Sequence, residues 1–140
     1  MSQGPESNFW KSIRQNLPPK TFATRIENKH GGGVPDVHLL WDGIPIWIEL
    51  KVSKGNAVKV SPHQVAWHMA YHARGGLSFY LVKRYKERDL VLFGGDQGVA
   101  LASGGISEAQ GTIYKSPAAL FLALRPVLLD KLACSLRPAP

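Results

Sequence analysis

Residues 34–51, VPDVHLLWDGIPIWIELK, decide how this chain is read. Asp42-Gly43 suits a two-residue type I′ turn, in which both central positions need positive φ, so Trp41 should pair with Ile44. Counting outward sets Leu40 against Pro45, His38 against Trp47 and Asp36 against Glu49. Opposed residues of an antiparallel pair hold their Cβ atoms about 4.5–5.5 Å apart, which crowds two carboxylates into one space. Lys51, two residues beyond Glu49, projects from the same face, while Ile44, Ile46, Ile48, Leu50 and Val52 take the other. Paired carboxylates repel unless positive charge sits between them, and a hard divalent cation with oxygen ligands is the usual answer. A lone Glu-x-Lys would read as a solvent-facing strand. Here Trp47 and His38 share the polar face and the register brings in Asp36 independently, which favours a metal site.

The same residues resemble the PD-(D/E)XK nuclease superfamily, in which Pro-Asp on one strand and Glu-x-Lys on the next form the cleavage site; the matching strings are VPD and IELK. Ser61, Gln64 and Trp67 in SPHQVAWH resemble the Ser-x-x-Gln-x-x-Trp segment of the virus-type replication-repair nuclease branch, a relative of the Holliday-junction resolvases. The resemblance covers about residues 5–84, and residues 85–140 contribute nothing to it. It implies an α/β, restriction-endonuclease-like fold with a mixed β-sheet flanked by helices. It also implies that Asp36 and Glu49 bind Mg²⁺ or Mn²⁺, with the backbone carbonyl of Leu50 completing the coordination. Lys51 would orient or activate the attacking water and stabilise charge on the phosphate. Chemistry agrees, since phosphodiester hydrolysis needs an activated water in line with the leaving oxygen and positive charge on the phosphoryl oxygens. Magnesium keeps several waters and takes one or two protein carboxylates, so one such pair suffices.

Many members of the superfamily add a Glu from an N-terminal helix, and two residues compete for that place. Glu6 shares a helical face with Phe9 and Ile13 and fits the family position. Glu27 would lie opposite Asp36 if a second hairpin centred on Gly31-Gly32, giving a row of Glu27, Asp36 and Glu49 across three strands. Gln64 has two readings as well. Ser61-x-x-Gln64 is a capping box in its own right, and the functional reading makes Gln64 a hydrogen-bonding neighbour of the metal site or of the DNA backbone.

At 140 residues with 44% hydrophobic and 19% charged side chains, the chain reads as one ordinary globular domain, residues 1–140. Net charge of +7 favours a polyanionic partner and salt-sensitive binding. Lys54, Lys59, Lys83, Arg84, Lys86 and Arg88 flank the site in sequence and are the candidate DNA-phosphate contacts. One cysteine, Cys134, and an N-terminus without a secretory pattern suit a reducing cytoplasm, and the resemblance implies that of a bacterial or phage-infected cell. His68 and His72 have zinc-ligand spacing but lack the glutamate of His-Glu-x-x-His.

The expected elements are a helix near Pro5–Asn16, strands near 21–28, 34–41 and 44–52, a helix from Ser61 to Gly75-Gly76, and a strand at Leu77–Arg84. A strand, helix and strand with short links should make strands 44–52 and 77–84 parallel. Asp89–Phe93 and Val99–Ala102 read as further short strands, and Ser116-Pro117 opens a last helix kinked or split at Pro126. The function expected is a metal-dependent, structure-specific DNA endonuclease of repair or recombination, acting on branched DNA such as Holliday junctions and working as a homodimer. A nuclease of ends, flaps or specific duplex sites, or a DNA-binding module that does not cut, is the alternative.

Overall fold

The computed structural model describes residues 4–27 and 32–135. Its centre is one six-stranded sheet whose strands lie side by side in chain order. The strands are β1 (Phe22–Arg25), β2 (Val37–Trp41), β3 (Ile44–Ser53), β4 (Leu77–Arg84), β5 (Asp89–Gly94) and β6 (Gly111–Tyr114). Helix α1 (Pro5–Gln15) precedes the sheet, and α2 (Pro62–Ala73) links β3 to β4. A 3₁₀ turn at Gly95–Gln97 leads into α3 (Gly98–Gly104), and α4 (Pro117–Ser135) follows β6. Among the described strands only β3 and β4 run parallel, joined by the crossover through α2; β5 and β6 pair antiparallel although α3 lies between them. The α/β class and the mixed sheet flanked by helices are those the sequence predicts.

The two faces of the sheet bury different sets of side chains. On one face Ile44, Ile46, Ile48 and Leu50 of β3 pack with Phe9 and Ile13 of α1 and with Leu120, Phe121, Leu124 and Leu128 of α4. On the other, Tyr80, Val82, Val91 and Phe93 pack with Leu101 of α3 and with Val58. The period-2 alternation of β3 therefore sends its aliphatic residues to α1 and α4 and frees Trp47, Glu49 and Lys51 for the α2 side.

Two expected elements differ. Val99–Ala102 is helical within α3, not a strand: a short apolar run fits either, and the glycines at 94, 95 and 98 that precede it turn the chain out of the sheet. The last strand is instead Gly111–Tyr114, and α4 continues through Pro126 without being split. Part of the expected Gly31-Gly32 hairpin lies outside the described residues. Its register does not: Phe22 pairs with Leu40 and Arg25 with Val37, and the Ile26 N–H donates to the Asp36 carbonyl at 2.7 Å. Ile26, not Glu27, thus stands opposite Asp36, and a slip of one residue turns Glu27 to the other face.

Candidate metal and phosphodiester site

The β2–β3 turn has Asp42 at φ 51° and Gly43 at φ 79°, the type I′ combination. It fixes the pairs Trp41–Ile44, His38–Trp47 and Val37–Ile48, and one step beyond Val37–Ile48 brings Asp36 level with Glu49. Both carboxylates are buried, at 6% and 3% exposure. Asp36 reaches across the end of β2 to accept the Leu50 N–H on Oδ2 at 2.9 Å. Because the N–H and C=O of one strand residue point to the same neighbour, the Leu50 carbonyl is directed to the Asp36 side as well.

Helix α2 completes the site. Ser61 caps it, with its hydroxyl accepting the Gln64 N–H at 3.1 Å, while the Gln64 side-chain oxygen accepts the Ser61 N–H at 3.0 Å. That same oxygen accepts from Lys51 Nζ at 3.1 Å, and Gln64 Nε2 donates to Glu49 Oε2 at 3.2 Å. Lys51 Nζ stands 3.8 Å from Glu49 Oε2. Both readings of Gln64 hold at once: it closes the capping box and spans Glu49 and Lys51. The approach that allows this is set by Gly33, whose φ is +73° and where a Cβ would lie 2.1 Å from the His63 carbonyl oxygen. Only glycine lets the segment leading to Asp36 cross the first turn of α2 so closely.

The sequence points to no role for Tyr80 and does not place His68 beside it. Tyr80, fully buried on β4 next to Glu49, directs its hydroxyl to the Gln64 carbonyl at 3.4 Å. Burial, helped by the Glu49 carboxylate, pushes the phenol above its ordinary pKa. The His68 ring lies 4.1 Å from that of Tyr80, and neither of its ring nitrogens has a hydrogen-bond partner among the described residues. Burial, and secondarily the Lys51 charge, lowers its pKa to about 4, so His68 is neutral at pH 7. His72 leaves that face and approaches Asp96 at 3.9 Å, so the two histidines do not share a ligand. Tyr80 comes beside Glu49 through the register of the parallel β3–β4 pair, which the local sequence does not fix even though it announces the crossover.

Other candidates separate from the site. Glu27 is exposed and lines a groove with Trp10, Lys11 and Arg14 of α1, and Glu6 is exposed on the first turn of that helix. Among the described residues no group of three or more His, Cys, Asp or Glu side chains is placed to hold one metal ion. Lys83 pairs with Val52 and therefore projects to the α1 face, where it lies 5.6 Å over the Tyr85 ring. Arg84 is on the site face but is engaged by Asp89 through two bonds of 2.7 and 2.6 Å, which hold the Asp89 carboxyl below its ordinary range. Lys86 and Arg88 are exposed on the β4–β5 turn, and Lys54 and Lys59 are exposed on the loop that leaves β3. Asn56 pins that loop to the end of α3, with its side chain bonded to Gly104 at 2.9 Å and to Ser107 at 2.7 Å.

Asp36 just before β2, Glu49 on β3 and the Leu50 carbonyl offer only oxygen donors, a set that would suit Mg²⁺ or Mn²⁺ better than zinc. Among the described residues no helix is long and apolar enough to cross a membrane. No protein-family model matches the chain, and no curated protein matches it. Among solved structures the chain is similar to Hjc, a Holliday junction resolvase of the archaeal hyperthermophile Archaeoglobus fulgidus, with a TM-score of 0.47 and 13% identity over 81% of this chain and 84% of that one.

Proposed function

We propose that this chain is a divalent-metal-dependent endonuclease that hydrolyses phosphodiester bonds in branched DNA. The observation that carries the reading is the side chain of Gln64, which holds Glu49 and Lys51 together on the strand that Asp36 grips through the Leu50 N–H. Asp36, Glu49 and the Leu50 carbonyl would hold the ion, which supplies Lewis-acid charge to the phosphoryl oxygens and lowers the pKa of water. Lys51 provides the second positive charge, and its amine, fixed by Gln64, orients the attacking water against the phosphorus. Gln64 keeps the Lys51 amine from collapsing fully onto Glu49. Tyr80 and neutral His68 wall the site with rings that exclude bulk water, which strengthens each charge interaction within it.

The preference for branched DNA rests on the resemblance carried by VPD, IELK and the Ser61–Trp67 segment. Cutting a junction symmetrically needs two sites, and α4 offers a surface for a second copy: Leu122 and Leu129 are 79% and 44% exposed on a helix whose opposite side is already buried. Sedimentation should show a dimer that Leu122→Lys with Leu129→Lys converts to a folded monomer. A monomeric wild type removes the dimer from the account. A gel comparing four-way junction, flap, single strand and linear duplex in Mg²⁺ tests the substrate: the junction should be cut fastest, and cleavage of none of the four would refute the nuclease reading.

A further inference from the structure

The chain has four tryptophans, and they divide by role. Trp10 and Trp41 pack into the core shared by α1, α4 and the sheet. Trp47 and Trp67 belong to neither core; they are half-buried on the α2 face and meet each other, rings 5.5 Å apart at 63°. The row extends on both sides. His38 lies 4.7 Å from Trp47, and Tyr71 stacks on Trp67 at 5.0 Å with only 12° between planes. All four rings are partly open to solvent.

Position gives the row its meaning. Gln64, Trp67 and Tyr71 recur along one stripe of α2, so the helix that clasps Glu49 and Lys51 presents Trp67 one turn later. On β3, Trp47 shares the face of Glu49 and lies two residues away, about 6.6 Å along the strand. Half-exposed indoles beside a phosphate-handling site, on a chain of net charge +7, suit a nucleobase whose own phosphate is held electrostatically. Aromatic faces stack bases without reading sequence, and only an unpaired base offers its face.

We infer that Trp47 and Trp67, flanked by His38 and Tyr71, form a stacking platform for one unpaired base next to the scissile phosphate. Selection of branched DNA then comes from the splayed base at the branch point and not from base sequence. The inference rests on the nuclease reading of the neighbouring site, but its test does not need cleavage. The Asp36→Asn protein is titrated with a four-way junction carrying an unpaired 2-aminopurine at the branch point, and with a fully paired linear duplex of equal length.

Stacking should quench the 2-aminopurine on binding. Adding Trp47→Leu or Trp67→Leu should abolish the quench and weaken junction binding about 10-fold while duplex binding stays unchanged. Trp47→Phe, which keeps a ring, should retain most of both, and far-UV circular dichroism checks each fold. Absence of quenching with the tryptophans intact overturns the platform even if a Leu variant fails to fold. Equal losses on junction and duplex overturn it too. A quench that depends on Trp47, in a protein whose wild type does not cut, would uphold the platform and refute the nuclease; cutting without the quench would do the reverse.

Discussion

Gln64 gathers three partners on one amide, which makes it the residue whose loss separates positioning from chemistry. Gln64→Ala leaves Asp36, Glu49 and Lys51 in place, so cleavage should fall about 10- to 100-fold and not vanish. The rate of wild type against Gln64→Ala under single-turnover conditions measures this, and an unchanged rate removes Gln64 from the site. His68 yields a pH expectation. The unfolded chain protonates His68 near 6.5, whereas the folded protein resists until about 4, so the unfolded state binds more protons between those values. Stability from this group is complete above pH 6.5 and is lost as pH falls toward 4, on the order of 3 kcal/mol in all. Urea unfolding at pH 7 and pH 4.5 should show the loss in wild type and a smaller one in His68→Phe; equal losses would assign the acid sensitivity to other groups. The sequence gives up Asp36, Glu49, Lys51 and Gln64 readily, because a turn and two periodicities place them. Glu27 was misplaced by the same rule, since one residue of slip reverses a strand's face, whereas Lys83 was grouped with the site by nearness in sequence alone.

Two elements do the positioning, the β2–β3 hairpin and the first turn of α2. Ser61 serves only the second. Ser61→Ala removes the hydroxyl that accepts the Gln64 N–H and should cost about 1 kcal/mol, while the Lys51–Gln64–Glu49 bridge and the cleavage rate survive. Thermal melts and rates on the same preparation check this; a rate loss as large as that of Gln64→Ala would mean that the cap itself builds the site. The hairpin was legible because Asp42-Gly43 admits few conformations, and the crossover was legible because capping box and glycine stop bracket α2. Residues 98–114 were not, since VALA carries no periodicity long enough to tell helix from strand and GTIY is short. Nor does anything local announce that Gly33 lies against His63: that contact joins segments thirty residues apart in the chain.

For the molecule as a whole, a net charge of +7 sets the expected mode of DNA binding. Of the six proposed phosphate contacts, Lys54 and Lys59 combine exposure with a loop pinned by Asn56 directly after β3. Binding of Asp36→Asn protein to a junction should weaken steeply with salt, with a log–log slope of about −0.9 per phosphate neutralised. Lys54→Ala with Lys59→Ala should flatten that slope by roughly one to two units whatever the junction sequence, and an unchanged slope would move the phosphate track to Lys86 and Arg88. Such net properties were readable from composition, but which cations face the site was not, because Arg84 is held by Asp89 and Lys83 faces α1. Asp36, Glu49 and Lys51 are proposed to form one metal-dependent hydrolytic site. Its most direct measurement is junction cleavage by wild type, Asp36→Asn, Glu49→Gln and Lys51→Ala, each with Mg²⁺ and with EDTA. Product is expected only from wild type with Mg²⁺, with all three variants folded, still binding DNA and slower by at least about 100-fold. Cleavage in EDTA, or a wild-type rate in any of the three variants, would contradict it.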